Sequence, residues 1–167
     1  MKKIITLLSV LFLFVGTMSA QSDWHGGISA KPEQGQWFIS GGLSANYMWT
    51  IFVLPISISG DYVLKSGLFD DNGAVSVGAY TTTMIGSGLT VLSVGPRVSV
   101  HYNFVEWLDT YATLSVGYWG AVSGSISGSL AYGFNIGARY YFKPKWGLFG
   151  ELGYGLGNAK FGITYRF

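Results

Sequence analysis

The sequence contains no cysteine, which excludes a disulfide framework, a thiolate metal site and a lipid anchor carried on cysteine. Charge is scarce as well. Asp, Glu, Lys and Arg make up 11% of the residues, where about 25% is usual for a soluble domain. There are two histidines, His25 and His101, far apart in the chain, and no metal site is expected. Asp70-Asp71-Asn72-Gly73 lacks the spaced ligands and closing Glu of a calcium loop, and its Asn-Gly reads as a hairpin turn instead. Gly153 to Lys160, GYGLGNAK, is not a phosphate-binding loop, because Ala159 and not a glycine stands directly before the lysine. No cofactor is expected. The only long apolar run, Ile4 to Val15, falls short of the ~20 residues of a membrane helix.

That run follows Lys2 and Lys3 and precedes small residues, the layout of a secretory signal peptide. Cleavage after Ala20 gives a signal over residues 1–20; cleavage after Ser19 is the alternative. Lys2 and Lys3 account for the whole excess of 10 basic over 8 acidic residues, so the exported chain is close to neutral. It has no basic patch for nucleic acid.

What is present is glycine, 25 residues, and aromatics at 17%. Residues 21–35 carry Asp23, Lys31, Pro32 and Glu33 among glycines and read as a flexible lead. From residue 36 to 167 apolar and polar residues alternate with the period of a half-buried strand. Eight strands are expected: Gln36–Asn46, Phe52–Lys65, Ala74–Ile85, Leu89–Phe104, Thr110–Val122, Ser129–Phe142, Gly147–Gly155 and Ala159–Phe167. Short turns join them, and Pro55 falls early in the second strand, where a bulge would accommodate it. The fold class is all-β, an eight-stranded antiparallel up-and-down barrel.

Parity separates two faces. One carries Leu130, Tyr132, Phe134, Ile136 and Phe142 and their counterparts on other strands; the other is Gly, Ser, Thr and Asn with isolated charges. An eight-stranded lumen is too narrow for the crowded aromatic face. The polar face has too few charges for a water-exposed surface. The aromatic face therefore turns outward to lipid, and the barrel spans a membrane. The lumen is expected to hold a polar and ionic network of Asp61, Arg97, His101, Arg139, Glu151, Lys160 and Arg166, with Arg139 and Glu151 in diagonal reach across the Pro144 turn. Trp37, Trp107 and Trp146 at one rim and Trp49 and Trp119 at the other suggest two aromatic girdles.

The chain ends on KFGITYRF, a strand that stops on an aromatic ring. Lys160, Gly162, Tyr165 and Phe167 resemble the carboxy-terminal assembly signal of outer-membrane β-barrels. GARYYFKPKWGLFGELGYGLG, Gly137 to Gly157, is similar to the closing hairpin of porin-family β-barrel domains of Bacteroidetes-type bacteria. The chain from residue 36 onward resembles small barrels of the OmpX and OmpA-barrel kind. That resemblance implies residence in the outer membrane with both termini periplasmic. It also implies contact with outer-membrane lipid, handling by periplasmic chaperones and the barrel-assembly machinery, and a monomer. The outer loops are short, which speaks against long adhesive loops. No catalytic set is apparent and no enzyme is expected; Ser99-Val100-His101 reverses the order of the His and Ser of small lipid A deacylases. A structural or interaction barrel is the first expectation. A narrow channel or small hydrophobic-ligand conduit is the alternative, and a lipid A-modifying enzyme centred on His101 a weaker one.

Overall fold

The computed structural model describes residues 27–48, 51–53, 55–86, 89–121, 128–155 and 158–167. Residues 1–20 of the expected signal peptide and Trp49 lie outside that set. The described residues form nine strands: β1 (Trp37–Met48), β2 (Ile51–Val53), β3 (Ile56–Leu68), β4 (Gly73–Gly86), β5 (Leu89–Val105), β6 (Leu108–Ala121), β7 (Gly128–Tyr141), β8 (Trp146–Tyr154) and β9 (Ala159–Arg166). β2 and β3 are two parts of one stave. They are separated beside Pro55, whose carbonyl accepts from the Ser44 amide at 2.7 Å. The eight staves pair antiparallel in chain order, and β1 pairs with β9 from Phe38↔Arg166 to Ala45↔Ala159, closing the ring. Closure removes the free edges that an open sheet would present. Phe167 is held in the same ladder: its amide and carbonyl are both bonded to Trp37, at 3.1 and 2.9 Å.

The seam is tight. A Cβ on Gly42 would lie 2.3 Å from the Phe161 carbonyl oxygen, and one on Gly162 would lie 2.2 Å from that of Gly41. Gly41 itself has open space.

The alternation of the sequence becomes a difference between inside and outside. Ile39, Leu43, Ile58, Val98, Leu114, Phe134, Leu152 and Ile163 are all exposed on the outer wall. Their strand neighbours Ser40, Ser59, Ser99, Thr113, Asn135, Glu151 and Thr164 are buried in the lumen. Water would not tolerate so large a continuous apolar wall on a monomer. A bilayer requires it.

Aromatic rings mark the limits of this wall. Trp37, Phe104, Phe142, Trp146 and Phe167 are exposed at the rim where the described termini lie; Tyr118, Tyr132 and Tyr154 are exposed toward the far rim. About ten residues separate the bands along a strand, roughly 33 Å at the usual rise and roughly 25 Å along an axis tilted by ~40°. That equals the ~25 Å apolar height of outer-membrane barrels. Trp107 is half-buried, with its ring 6.2 Å from that of Tyr140. Trp119 departs from the girdle reading. It falls on the same parity as Thr113 and Ser115, half-buried on the lumen side, because adjacent residues of a strand face opposite ways and Tyr118 takes the outward place.

Two other expectations are corrected. The β3–β4 turn is built at Phe69, Asp70 and Asp71, with φ of 51°, 57° and 65°, and not on Asn72-Gly73. Gly73 is instead the first residue of β4, packed so that a Cβ would lie 2.4 Å from the Phe69 ring. Residues 27–35 do not hang free as a lead: Ala30 and Pro32 are fully buried against the terminal mouth of the barrel.

Gly42→Ala is expected to destabilise the barrel by about 1–3 kcal/mol, because the new methyl meets backbone that cannot turn aside. Gly41→Ala, one residue away, should stay within about 0.5 kcal/mol of the parent. Equilibrium urea unfolding in lipid vesicles, followed by tryptophan fluorescence, measures both.

Candidate functional site: a charged lumen

The lumen of the lower barrel is filled by an ionic network. Asp61, on β3, lies between two arginines: Oδ2 accepts from Arg139 Nη2 at 3.1 Å, and Oδ1 lies 3.1 Å from Arg97 Nε. The second contact is charge attraction without an aligned hydrogen bond. Arg97, on β5, also donates through Nη2 to Glu151 Oε1 at 2.8 Å and to Thr113 Oγ1 at 3.2 Å. Lys160 Nζ donates to the other oxygen of Glu151 at 3.0 Å. Arg139 Nη1 donates to Asp109 Oδ2 at 3.1 Å. Its guanidinium is held between the rings of Phe38 and Tyr111, 4.5 and 4.3 Å from their centroids. Asp61, Asp109 and Glu151 thus balance Arg97, Arg139 and Lys160.

Small residues let these side chains reach. Gly78 stands opposite both Asp61 and Arg97, and a Cβ there would lie 2.6 Å from Asp61 Oδ1. Gly137 stands opposite both Tyr111 and Glu151, and the Tyr111 ring lies over it. The Tyr111 hydroxyl consequently reaches across one strand to donate to Glu151 Oε1 at 3.1 Å.

His101 extends the network. Its Nδ1 lies 2.9 Å from Asp109 Oδ1 and its Nε2 lies 2.9 Å from Ser76 Oγ. A carboxylate only accepts, so Nδ1 carries a proton toward Asp109, and Nε2 shares a hydrogen bond with the Ser76 hydroxyl. The order Ser76–His101–Asp109 is that of a nucleophile, a base and an orienting acid. It is nonetheless sealed: Ser76, His101 and Asp109 are fully buried, so a substrate bond has no path to Ser76. Ser99, the partner considered from sequence, is instead within 2.7 Å of Thr113 Oγ1.

Above the charges the lumen is lined by hydroxyls. Ser44, Ser57 and Thr82 form a chain with contacts of 2.6 and 3.0 Å, and Ser40 donates to Thr164 at 2.9 Å. Two voids beside Arg97, Tyr80 and Lys160 measure about 20 and about 10 Å3, on the scale of single waters.

The structure brings Asp61, Arg97, His101, Arg139, Glu151 and Lys160 together. It does not bring Arg166 to them. Arg166 lies at the terminal mouth, bonded to the carbonyls of Pro144 and Ser29 at 2.6 and 2.7 Å, over the Tyr141 ring. Arg139 and Glu151 are diagonal neighbours but belong to different ion pairs, because Arg139 turns to Asp61 and Asp109. Asp109, Tyr111 and Ser76 were missed. The signal was there: counting back by twos from Thr113 reaches Tyr111 and then Asp109, the residue assigned to a turn. Of the terminal residues, Lys160 enters the network, Gly162 is the close contact at the seam, and Tyr165 packs its ring 4.8 Å from Trp146.

No protein-family model matches the sequence, and the search of curated proteins found no relative. Similarity appears at the level of structure. The N-terminal β-barrel domain of OprF from Pseudomonas aeruginosa is 15% identical, covering 80% of this chain and 98% of that one, with a TM-score of 0.56. A de novo designed transmembrane β-barrel is 19% identical over 82% of this chain and 99% of that one, at 0.54. Ail, the attachment invasion locus protein of Yersinia pestis, is 16% identical over 81% of this chain and 100% of that one, at 0.53. The fold is that of small outer-membrane β-barrels.

Asp61→Asn leaves the two arginines short of a shared counter-charge and is expected to destabilise the barrel by about 3–5 kcal/mol. Ser76→Ala removes one hydrogen bond and should cost about 1 kcal/mol. Urea midpoints of the two variants in the same vesicles test that ranking.

Proposed function

We propose that the chain is an integral outer-membrane protein with a structural or interaction role, its lumen occupied by side chains instead of a transported solute. The observation that carries this reading is the buried, charge-balanced network, which crosses the lumen from β3 to β5, β7 and β8. A conducting pore needs a continuous wet path, and paired charges held by aromatic rings do not leave one. In this reading the termini face the periplasm. Lys160, Gly162, Tyr165 and Phe167 serve as the signal for the assembly machinery, after passage with periplasmic chaperones. The folded protein is a monomer in contact with outer-membrane lipid, and it is not an enzyme.

Interaction has a physical seat at the far rim. β7 pairs with β6 from Gly128, but its ladder to β8 starts only at Phe134↔Tyr154. Across the ring, β4 pairs with β5 as far as Gly86↔Leu89, while its ladder to β3 ends at Ile56↔Thr83. On the β2–β3 stave the chain continues as far as β4 does, so the projecting element is β7, which runs beyond β8 with β6 paired along its other side. Residues 128–131 are paired on the β6 side alone among the described residues. Such an edge accepts an added strand from a partner, and Leu130 is exposed on it.

Planar bilayers holding the purified barrel are expected to stay silent, without stepwise conductance, for the parent and for Ser57→Ala in the hydroxyl-lined half. A steady conductance in the parent that changes on Arg97→Ala would transfer the assignment to the narrow-channel reading.

A further inference from the structure

Residues 27–36 cross the terminal mouth of the barrel. The Ala30 amide donates to the Glu106 carbonyl, in the turn between β5 and β6, at 2.6 Å. At its other end the segment joins β1, and there the Gly35 amide donates to the Val63 carbonyl at 3.0 Å while the Val63 amide donates to the Gln36 carbonyl at 2.9 Å. In a ring of eight staves the β5–β6 turn lies opposite β1, so the segment spans the mouth from side to side. Between these ties the Gln34 amide donates to Ser66 Oγ at 3.2 Å, and just before the first of them Arg166 Nη2 donates to the Ser29 carbonyl at 2.7 Å.

What lies under the segment is apolar. Ala30 is fully buried in one cluster with Phe38, Val63, Ala74 and Tyr141, contributed by β1, β3, β4 and β7, and Ile28 packs against it. Directly inward of that cluster is the Phe38–Arg139 stack and the buried Asp109–His101 pair. An open mouth would wet this apolar ring and bring water to the ion pairs behind it. The two ends of the segment are glycines in left-handed conformations, Gly27 at φ 69° and Gly35 at φ 86°, which absorb a change of chain direction at low cost. Arg166 has backbone carbonyls as its polar partners here, those of Ser29 and Pro144, and is not fully enclosed.

We infer that residues 27–36 form a hinged lid, pivoting at Gly35 and latched by Arg166, that shuts the terminal mouth and keeps water from the apolar ring and the charges behind it. The lid is part of the chain, so opening needs no partner to dissociate. It requires the Arg166–Ser29 bond and the Ala30–Glu106 bond to break and Ala30 to leave its cluster.

The absence of cysteine makes the test free of background. Ala74→Cys is placed beneath the lid and Lys145→Cys on the exposed turn beside it. Each is treated with a hydrophilic maleimide on the folded barrel in detergent. Lys145→Cys is expected to label at the rate of the unfolded chain, and Ala74→Cys more than about 100-fold more slowly. Deleting residues 27–35 should bring the Ala74→Cys rate up toward the control. Arg166→Ala, with the lid intact, should raise it about tenfold or more, since the charged hydrogen bond that ties the lid at Ser29 is lost. Rapid labelling of Ala74→Cys in the full chain overturns the proposal. So does continued protection in a deletion variant that still folds, because the aromatic cluster would then be the seal. Should the deletion not fold, an unchanged rate in Arg166→Ala overturns it on its own.

Discussion

Asp61 between Arg97 and Arg139 is the contact around which the interior is arranged. A carboxylate of one stave there meets guanidinium groups from staves two and four places away around the ring. Hydrogen bonds between neighbouring strands fix only local register. Cross-lumen ion pairs add a constraint between staves that never touch through their backbones. In an apolar surrounding each of these charges would cost several kcal/mol alone, so the network holds only when all of its members are in register. Its glycines belong to the same constraint, since a side chain at position 78 or 137 would occupy the space that Asp61 or Tyr111 uses.

The exterior obeys the opposite requirement. A bilayer offers no hydrogen-bond partners, so every backbone group of the wall must be satisfied within it. Closure of β1 on β9 meets that need, and the glycine contacts at Gly42 and Gly162 let the two end strands approach closely enough to do it. The terminal residue is part of this ladder. Phe167 is both the last ring of the aromatic band and a backbone partner of Trp37.

Much of this could be read from the order of residues, because strand parity is a local property. The alternation through Leu130–Phe142 told outside from inside without any knowledge of neighbours, and it placed Arg139, Glu151, Arg97 and Asp61 in one lumen. Partner choice was not legible in the same way. Arg139 and Glu151 are close by counting from the Pro144 turn, yet Arg139 pairs with Asp61, which is 78 positions away in sequence. Arg166 has the right parity but sits beyond the network, at the height of the mouth. Asp109 was hidden by a strand that begins earlier than its turn-like flanks suggest. The lid was the least legible element. A segment lying across a mouth has no period, and Gly, Lys, Pro and Glu in it look like a linker until Ala30 and Pro32 are seen buried.

This chain closes into a barrel with its charges inside and its rings toward lipid. Mobility of the membrane fraction in an SDS gel, unheated against boiled, tests it most directly. A barrel held by a closed ladder and an internal ion network resists the detergent until boiled, so two distinct positions are expected, with a single slower band after heating. One unchanged position, with the protein recovered in the soluble fraction, would contradict it and would mean that the apolar face lines an interior.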